Sequence, residues 1–223
     1  MTIQTCLSCV NSKVDRLVLS GYSQRVSATA RRPAAKLNEL PPRERILRVA
    51  LELFYRHGVN SVGVDRIIAE SGVAKMTFYR HFPTKCRLVA EYLAHKDNSW
   101  QELINAYTGD ETRPALERLL AIFDALKAAI ECPDFHGCAF TKALAEFGPE
   151  RDEPEIRTLI DTHFSNLETF VARLLKEIRP RDARKLTQPL VSLICGTIVV
   201  AQATGKTDVA AKNKEVAKAL LAG

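Results

Sequence analysis

Apolar residues recur at helical spacing along most of the chain, in blocks separated by glycine, proline and short polar stretches. The first block, Arg43 to His57, carries Ile46, Val49, Ala50, Leu53 and Phe54 on one side, and Arg56-His57-Gly58 ends it with a basic last turn and a C′ glycine. A short block, Val64 to Ser71, turns Val64, Ile67 and Ile68 inward, and after Gly72 a second short one buries Val73, Phe78 and Phe82. Lys85 opens a long helix through Leu88, Val89, Tyr92, Leu93, Trp100, Leu103, Ile104 and Tyr107, ended by Thr108-Gly109-Asp110. The next helix starts at Thr112 or Arg113 with Pro114 in its first turn, and its stripe runs from Leu116 to Ile130. His136 to Phe147 reads as a helix stopped by Gly148-Pro149, and an acidic link, Glu150 to Glu155, follows. A long stripe from Ile156 to Leu175 ends at Pro180. Asp182 to Ala203 is apolar nearly all round from Leu190, which predicts burial on every side, and Pro189 should kink it or mark its start. A last helix spans Asp208 to Leu221. The chain reads as all-α.

The two short blocks make a helix, a tight turn and a helix over residues 63–82. With its apolar side inward, the second leaves Lys75, Thr77, Tyr79, Arg80 and His81 outward. A solvated face usually mixes charge signs, yet no acid occurs from Gly72 to Arg87. An exposed face made almost wholly of hydrogen-bond donors suits a major groove and its phosphates.

These residues resemble a known family. Arg45 to Leu93 is similar to the DNA-binding domain of TetR-family transcriptional regulators, in an ordered, gap-free run. The run comprises Arg56-His57-Gly58, Val64-Asp65-Arg66-Ile67-Ile68-Ala69, Gly72-Val73-Ala74-Lys75, Thr77-Phe78-Tyr79, His81-Phe82 and Lys85. Gly63, Ala74, Met76 and Cys86 depart from residues common in the family, which bears on base preference rather than fold. The resemblance implies a three-helix helix-turn-helix domain over residues 41–101 and a larger helical ligand-binding and dimerisation domain over 102–223. It implies phosphate contacts from Thr77, Tyr79 and Lys85. Asp65, Arg66, Lys75, Met76 and Arg80 are expected to reach base edges, with His81 also on the DNA face.

Charge agrees with a nucleic-acid front. Residues 1–40 hold six Lys/Arg against two acids, a balance of +4; residues 41–96 hold ten against five, +5; residues 97–223 hold sixteen against nineteen, −3. The first 40 residues lack recurring apolar positions and read as a mobile basic arm, either reaching along DNA or a dispensable leader. No secretory signal is evident, and the apolar run Leu190 to Ala201 is shorter than the roughly 17–25 residues a span needs. A reduced cytoplasmic setting and no membrane are therefore expected, with Cys6, Cys9, Cys86, Cys132, Cys138 and Cys195 as thiols. Cys6-x-x-Cys9 has the spacing of half a zinc site but no second pair nearby, so no metal and no cofactor are expected.

Helix 182–203 is greasier than one small domain easily buries, and a short recognition helix reads few base pairs. Both point to a homodimer on a palindromic operator in double-stranded DNA. The expected interface is Leu190, Ile194, Gly196, Thr197 and Val200. For an unidentified small-molecule effector, the expected pocket residues are Trp100, Leu103, Tyr107, Phe123, Phe140, Leu144, His163, Phe164 and Leu167, each of which could equally be plain core. Cys138 with His136, or His163 with Cys195, could pair as nucleophile and base, but no Gly-rich strand turn, paired carboxylates or Asp/Asn orienter stands at recognisable spacing. The reading is a non-enzymatic repressor released from its operator by a small-molecule inducer. The alternative is a ligand-independent DNA-binding regulator or architectural protein.

Overall fold

The computed structural model describes residues 37–148 and 153–222. Among these, a 3-10 turn (Leu37–Glu39) precedes nine α-helices: α1 (Pro42–His57), α2 (Val64–Ser71), α3 (Lys75–His81), α4 (Lys85–Thr108), α5 (Ala115–Ile130), α6 (Ala139–Glu146), α7 (Pro154–Ile178), α8 (Ala183–Thr204) and α9 (Val209–Ala222). The Cys6-x-x-Cys9 pair and most of the expected arm lie outside the described residues. The last residues assigned to that arm do not: Leu37 packs against the front core, so the packed chain begins before Pro41.

Helices α1 to α3 form a three-helix unit around Ile46, Leu53, Phe54, Ile67, Phe78 and Phe82, all nearly inaccessible. Val64 and Ile68 are only half-buried against it. Helix α4 starts on this core through Leu88, Tyr92 and Leu93 and ends on a second core, to which Ile104 belongs. At 24 residues it is about 36 Å long, enough to run from one core into the other. The rear core joins α5, α7, α8 and α9 through Leu119, Ile122, Leu126, Val171, Leu174, Leu190 and Ala217. The cores do not part at one point of the chain. Ala139, Phe140 and Ala143 of α6, with Ile156 and Ile160 of α7, pack on the front core.

Five expectations need correction. Helix α5 begins at Ala115 with Pro114 at its N-cap, not at Thr112 or Arg113. Helix α6 begins at Ala139, not His136, because Gly137 has φ +86 and Cys138 takes the N-cap position. Helix α8 begins at Ala183 and runs through Pro189, whose ring lies at the surface. That helix is not buried on every side: Val199 and Val200 are each 45% exposed. Of the residues expected at a dimer face, Leu190, Ile194 and Thr197 are fully buried in the protomer's own core. The other two expected residues, half-buried Gly196 and exposed Val200, do face outward, joined by Val199, with Val216 and Leu220 exposed on α9. By length and composition alone α8 could cross a membrane, but here its inward side is packed into the rear core.

Candidate nucleic-acid interface and rear cavity

Helices α2 and α3 are joined by Gly72, whose φ of +63 is the left-handed conformation that glycine adopts without steric cost. Arg45 donates from Nη1 to the Gly72 carbonyl at 3.5 Å, tying the turn back to α1. Neither Gly63 nor Ala74 offers a side-chain cap to the helix it precedes. Phe78 and Phe82 anchor α3, and Tyr79 stands edge-on to Phe78 with ring centroids 5.3 Å apart. That leaves Lys75, Met76, Tyr79 and Arg80 exposed and Thr77 and His81 half-buried. Met76 is 81% exposed, a large apolar side chain left uncovered among the described residues.

Asp65 and Lys75 face each other across the turn at 3.8 Å, and Arg66 pairs with Glu70 at 2.7 Å. Both pairs are well exposed, so they cost little to exchange for contacts with DNA. Thr84 caps α4 by accepting from the Arg87 amide at 3.1 Å, which sets Lys85 in its first turn beside α3. The expected DNA residues thus lie on α2, α3 and the start of α4.

Behind this unit lies a cavity of about 210 Å³. Of the expected pocket residues, Trp100, Leu103, Phe140, His163, Phe164 and Leu167 line it. Tyr107, Phe123 and Leu144 do not: Phe123 is sealed in the rear core, Tyr107 packs on that core's edge, and Leu144 is 38% exposed on α6. Missed by sequence reasoning were Tyr55, Lys96, Ile130, Phe135, Cys138 and Cys195, which come from five separate stretches of chain. No periodicity links such distant positions.

One wall is polar. His163 is buried, its Nδ1 2.6 Å from Asp97 Oδ1, and it interacts with the Cys138 thiol on the same cavity wall. Phe140 stacks on the imidazole at 3.7 Å and 3°. Burial alone pulls His163 down, but the bonds to Cys138 and Asp97 outweigh it and its pKa is raised. Burial alone pushes the Cys138 thiol up, yet the bonds from His163 and Thr141 leave it below the ordinary thiol range. The pairings weighed from sequence are thus replaced. His136 instead meets Tyr55 edge-on at 5.4 Å, and Cys138 pairs with His163, oriented by Asp97.

The cavity wall is bonded to the front unit. Tyr55 of α1 donates its hydroxyl to the Gly137 carbonyl at 3.0 Å and accepts from the His136 amide at 3.1 Å. Lys142 of α6 donates to the Tyr55 carbonyl at 2.8 Å. At the far end of α6, Glu146 accepts from the Val59 amide at 3.0 Å and from the Asn60 amide, both in the loop leading to α2. Helix α6 therefore reaches from the cavity to the helix-turn-helix.

Residues 46–92 match the family model of bacterial regulatory proteins of the tetR family. Among curated relatives, a nucleoid occlusion factor SlmA from Vibrio cholerae is 24% identical over 64% of this chain and 70% of its own. The transcriptional regulator QacR from Staphylococcus aureus is 38% identical over 27% of this chain and 32% of its own. A solved TetR-family transcriptional regulator from Streptomyces coelicolor superposes with a TM-score of 0.74 at 30% identity, over 81% of this chain and 94% of that one. The helix-turn-helix, the all-helical rear and that likeness along nearly the whole of a solved relative together establish that this chain belongs to the TetR family of DNA-binding transcriptional regulators.

Proposed function

We propose that the protein is a homodimeric, cytoplasmic repressor that binds a palindromic operator and is released when a small molecule occupies the rear cavity. One observation carries the reading: an acid-free, donor-rich α3 on the front unit is bonded through α6 to the wall of a cavity. The DNA domain spans residues 41–101 and the effector and dimer domain 102–223, with α6 and the start of α7 docked on the former. Thr77, Tyr79, His81 and Lys85 hold phosphates, while Asp65, Arg66, Lys75, Met76 and Arg80 face the bases. Two copies meet through the outward strip of α8 and α9, where Val199, Val200, Val216 and Leu220 would otherwise face water.

Ligand can act only by favouring one arrangement of the two heads over another. The bonds from Tyr55, Lys142 and Glu146 supply a path on which occupancy of the cavity bears differently on each arrangement. A ligand-independent regulator would be served by a filled rear core, and the 210 Å³ cavity weighs against that alternative. Selection of binding sites from random duplex DNA tests the reading. The expected result is an inverted repeat with half-sites one turn of DNA or a multiple apart, about 34–36 Å per turn. Enrichment of an asymmetric site, or of none, would overturn it.

A further inference from the structure

Cys138 and His163 come from different elements and both line the cavity, while Asp97 of a third element holds the imidazole at 2.6 Å. An interacting Cys–His pair in a packed interior is ordinarily just a satisfied polar contact. Here the thiol lines a largely apolar cavity instead. The imidazole is also held from several sides: Phe140 stacks on it, Trp100 and Phe164 meet it edge-on at 5.9 and 5.5 Å, and Asp97 fixes Nδ1. The thiol lies beside this imidazole on the wall, and the Thr141 amide donates to Sγ at 3.5 Å. Nucleophile, base and orienter are all in place.

We propose that Cys138 captures a small α,β-unsaturated carbonyl compound covalently in this cavity, and that the adduct is the effector signal. The proposal rests on the cavity's being the effector site argued above. The thiol proton passes to His163, whose charge Asp97 stabilises. The sulfur pair then forms a bond to the β-carbon while the carbon–carbon π pair shifts to give an enolate. The proton on His163 is delivered to the α-carbon, which regenerates the neutral imidazole. Nothing leaves, and no oxidant is consumed.

Three features favour a carbon electrophile over a peroxide. The walls include Trp100, Ile130, Phe135 and Leu167, which suit an organic molecule. The volume is several times the ~30 Å³ share of a water. The second cysteine on the wall, Cys195, is held protonated, because burial and the negative charge of Cys138 push its thiol up to about 11. It is a poor partner for a disulfide on those terms. The adduct would load the N-cap of α6, whose other end holds the Val59 and Asn60 amides.

The test treats the reduced full-length protein with limiting methyl vinyl ketone and follows each cysteine by peptide mass spectrometry. Cys138 is expected to gain the mass of one ketone well before Cys132 and Cys195. His163→Gln should slow that addition by roughly a hundredfold. Cys138→Ser should abolish it, and Cys195→Ser should leave it intact. Labelling of Cys138 no faster than Cys195, or an unaffected His163→Gln protein that remains folded, would overturn the capture. So would a protein that ignores the ketone yet loses two hydrogens between Cys138 and Cys195 under peroxide. A second arm measures affinity for the selected DNA, where the labelled protein should bind at least about tenfold more weakly, the scale of a typical allosteric coupling. Fast labelling with unchanged affinity would overturn the effector role. Fast labelling of a protein with no DNA preference would leave the capture standing and sink the regulator reading instead.

Discussion

Phe78 in the front core and His163 in the rear wall are both nearly inaccessible, but they are held in different ways. Phe78 is surrounded by apolar side chains in a closed core, with Phe82 6.2 Å away between ring centroids. His163 has a stacked ring on one face, a carboxylate on one nitrogen, and a cavity beside it that Cys138 also lines. A closed core fixes one arrangement, because packed interiors tolerate little change of volume. A hollow one with a bonded polar wall can exist with its space empty or filled. On the proposed reading, the front unit must present α3 in one shape, and the rear must have two states for an effector to choose between.

Truncations should expose that contrast most strongly. Phe78→Ala should cost about 3–5 kcal/mol of stability, read by denaturant unfolding of the purified protein. Leu167→Ala, beside the existing cavity, should fall near the low end of its class, about 2 kcal/mol. Equal losses would mean that the rear is as tightly packed as the front.

Arg80→Ala separates reading from holding. It should relax base preference at one symmetric pair of operator positions, at about 1–3 kcal/mol per contact. A repeat selection that returned the same base preference would leave Arg80 as a phosphate contact.

Glu146→Ala probes the joint between the two regions. It leaves the Val59 and Asn60 amides without their carboxylate, at about 1–3 kcal/mol. Operator affinity should become less responsive to whatever fills the cavity, measured as the ratio of affinities with and without the occupant. An unchanged ratio would route the coupling along α4 instead.

Gly196→Leu addresses the face that neither core covers. A Cβ added there meets no other part of the described protomer within 4 Å, so the main effect is expected on association. Overpacking between two copies should cost about 1–3 kcal/mol, partly offset by up to ~1 kcal/mol of improved helix propensity. Sedimentation at several concentrations should then show more monomer than wild type, with helicity kept. An unchanged dissociation constant would place the interface on α9 alone.

The smallest expected effect is that of Lys85→Ala. It should weaken specific and non-specific binding alike and lower the salt slope by about one unit. Loss confined to one operator sequence would contradict a phosphate role.

Helix positions were legible in the sequence because apolar spacing, Gly58, Gly72 and Pro83 act locally. The front unit was readable almost residue by residue, since its motif is contiguous. The rear was readable as helices but not as a site. Apolar stripes show that Leu190 and Val200 belong to one helix, yet not which of them looks inward once α7 and α9 have packed against it. The Cys138–His163–Asp97 contact joins residues 66 positions apart between its Asp and His, and no local pattern marks such a pairing. The late start of α6 turned on the backbone of Gly137, which reads as an ordinary glycine in the chain.

The most direct test of the proposed dimeric repressor is titration of the selected palindrome and of an isolated half-site by calorimetry at one fixed salt concentration. The expected result is two protomers on the palindrome and far weaker binding to the half-site. One protomer per duplex, with equal affinity for both, would contradict it.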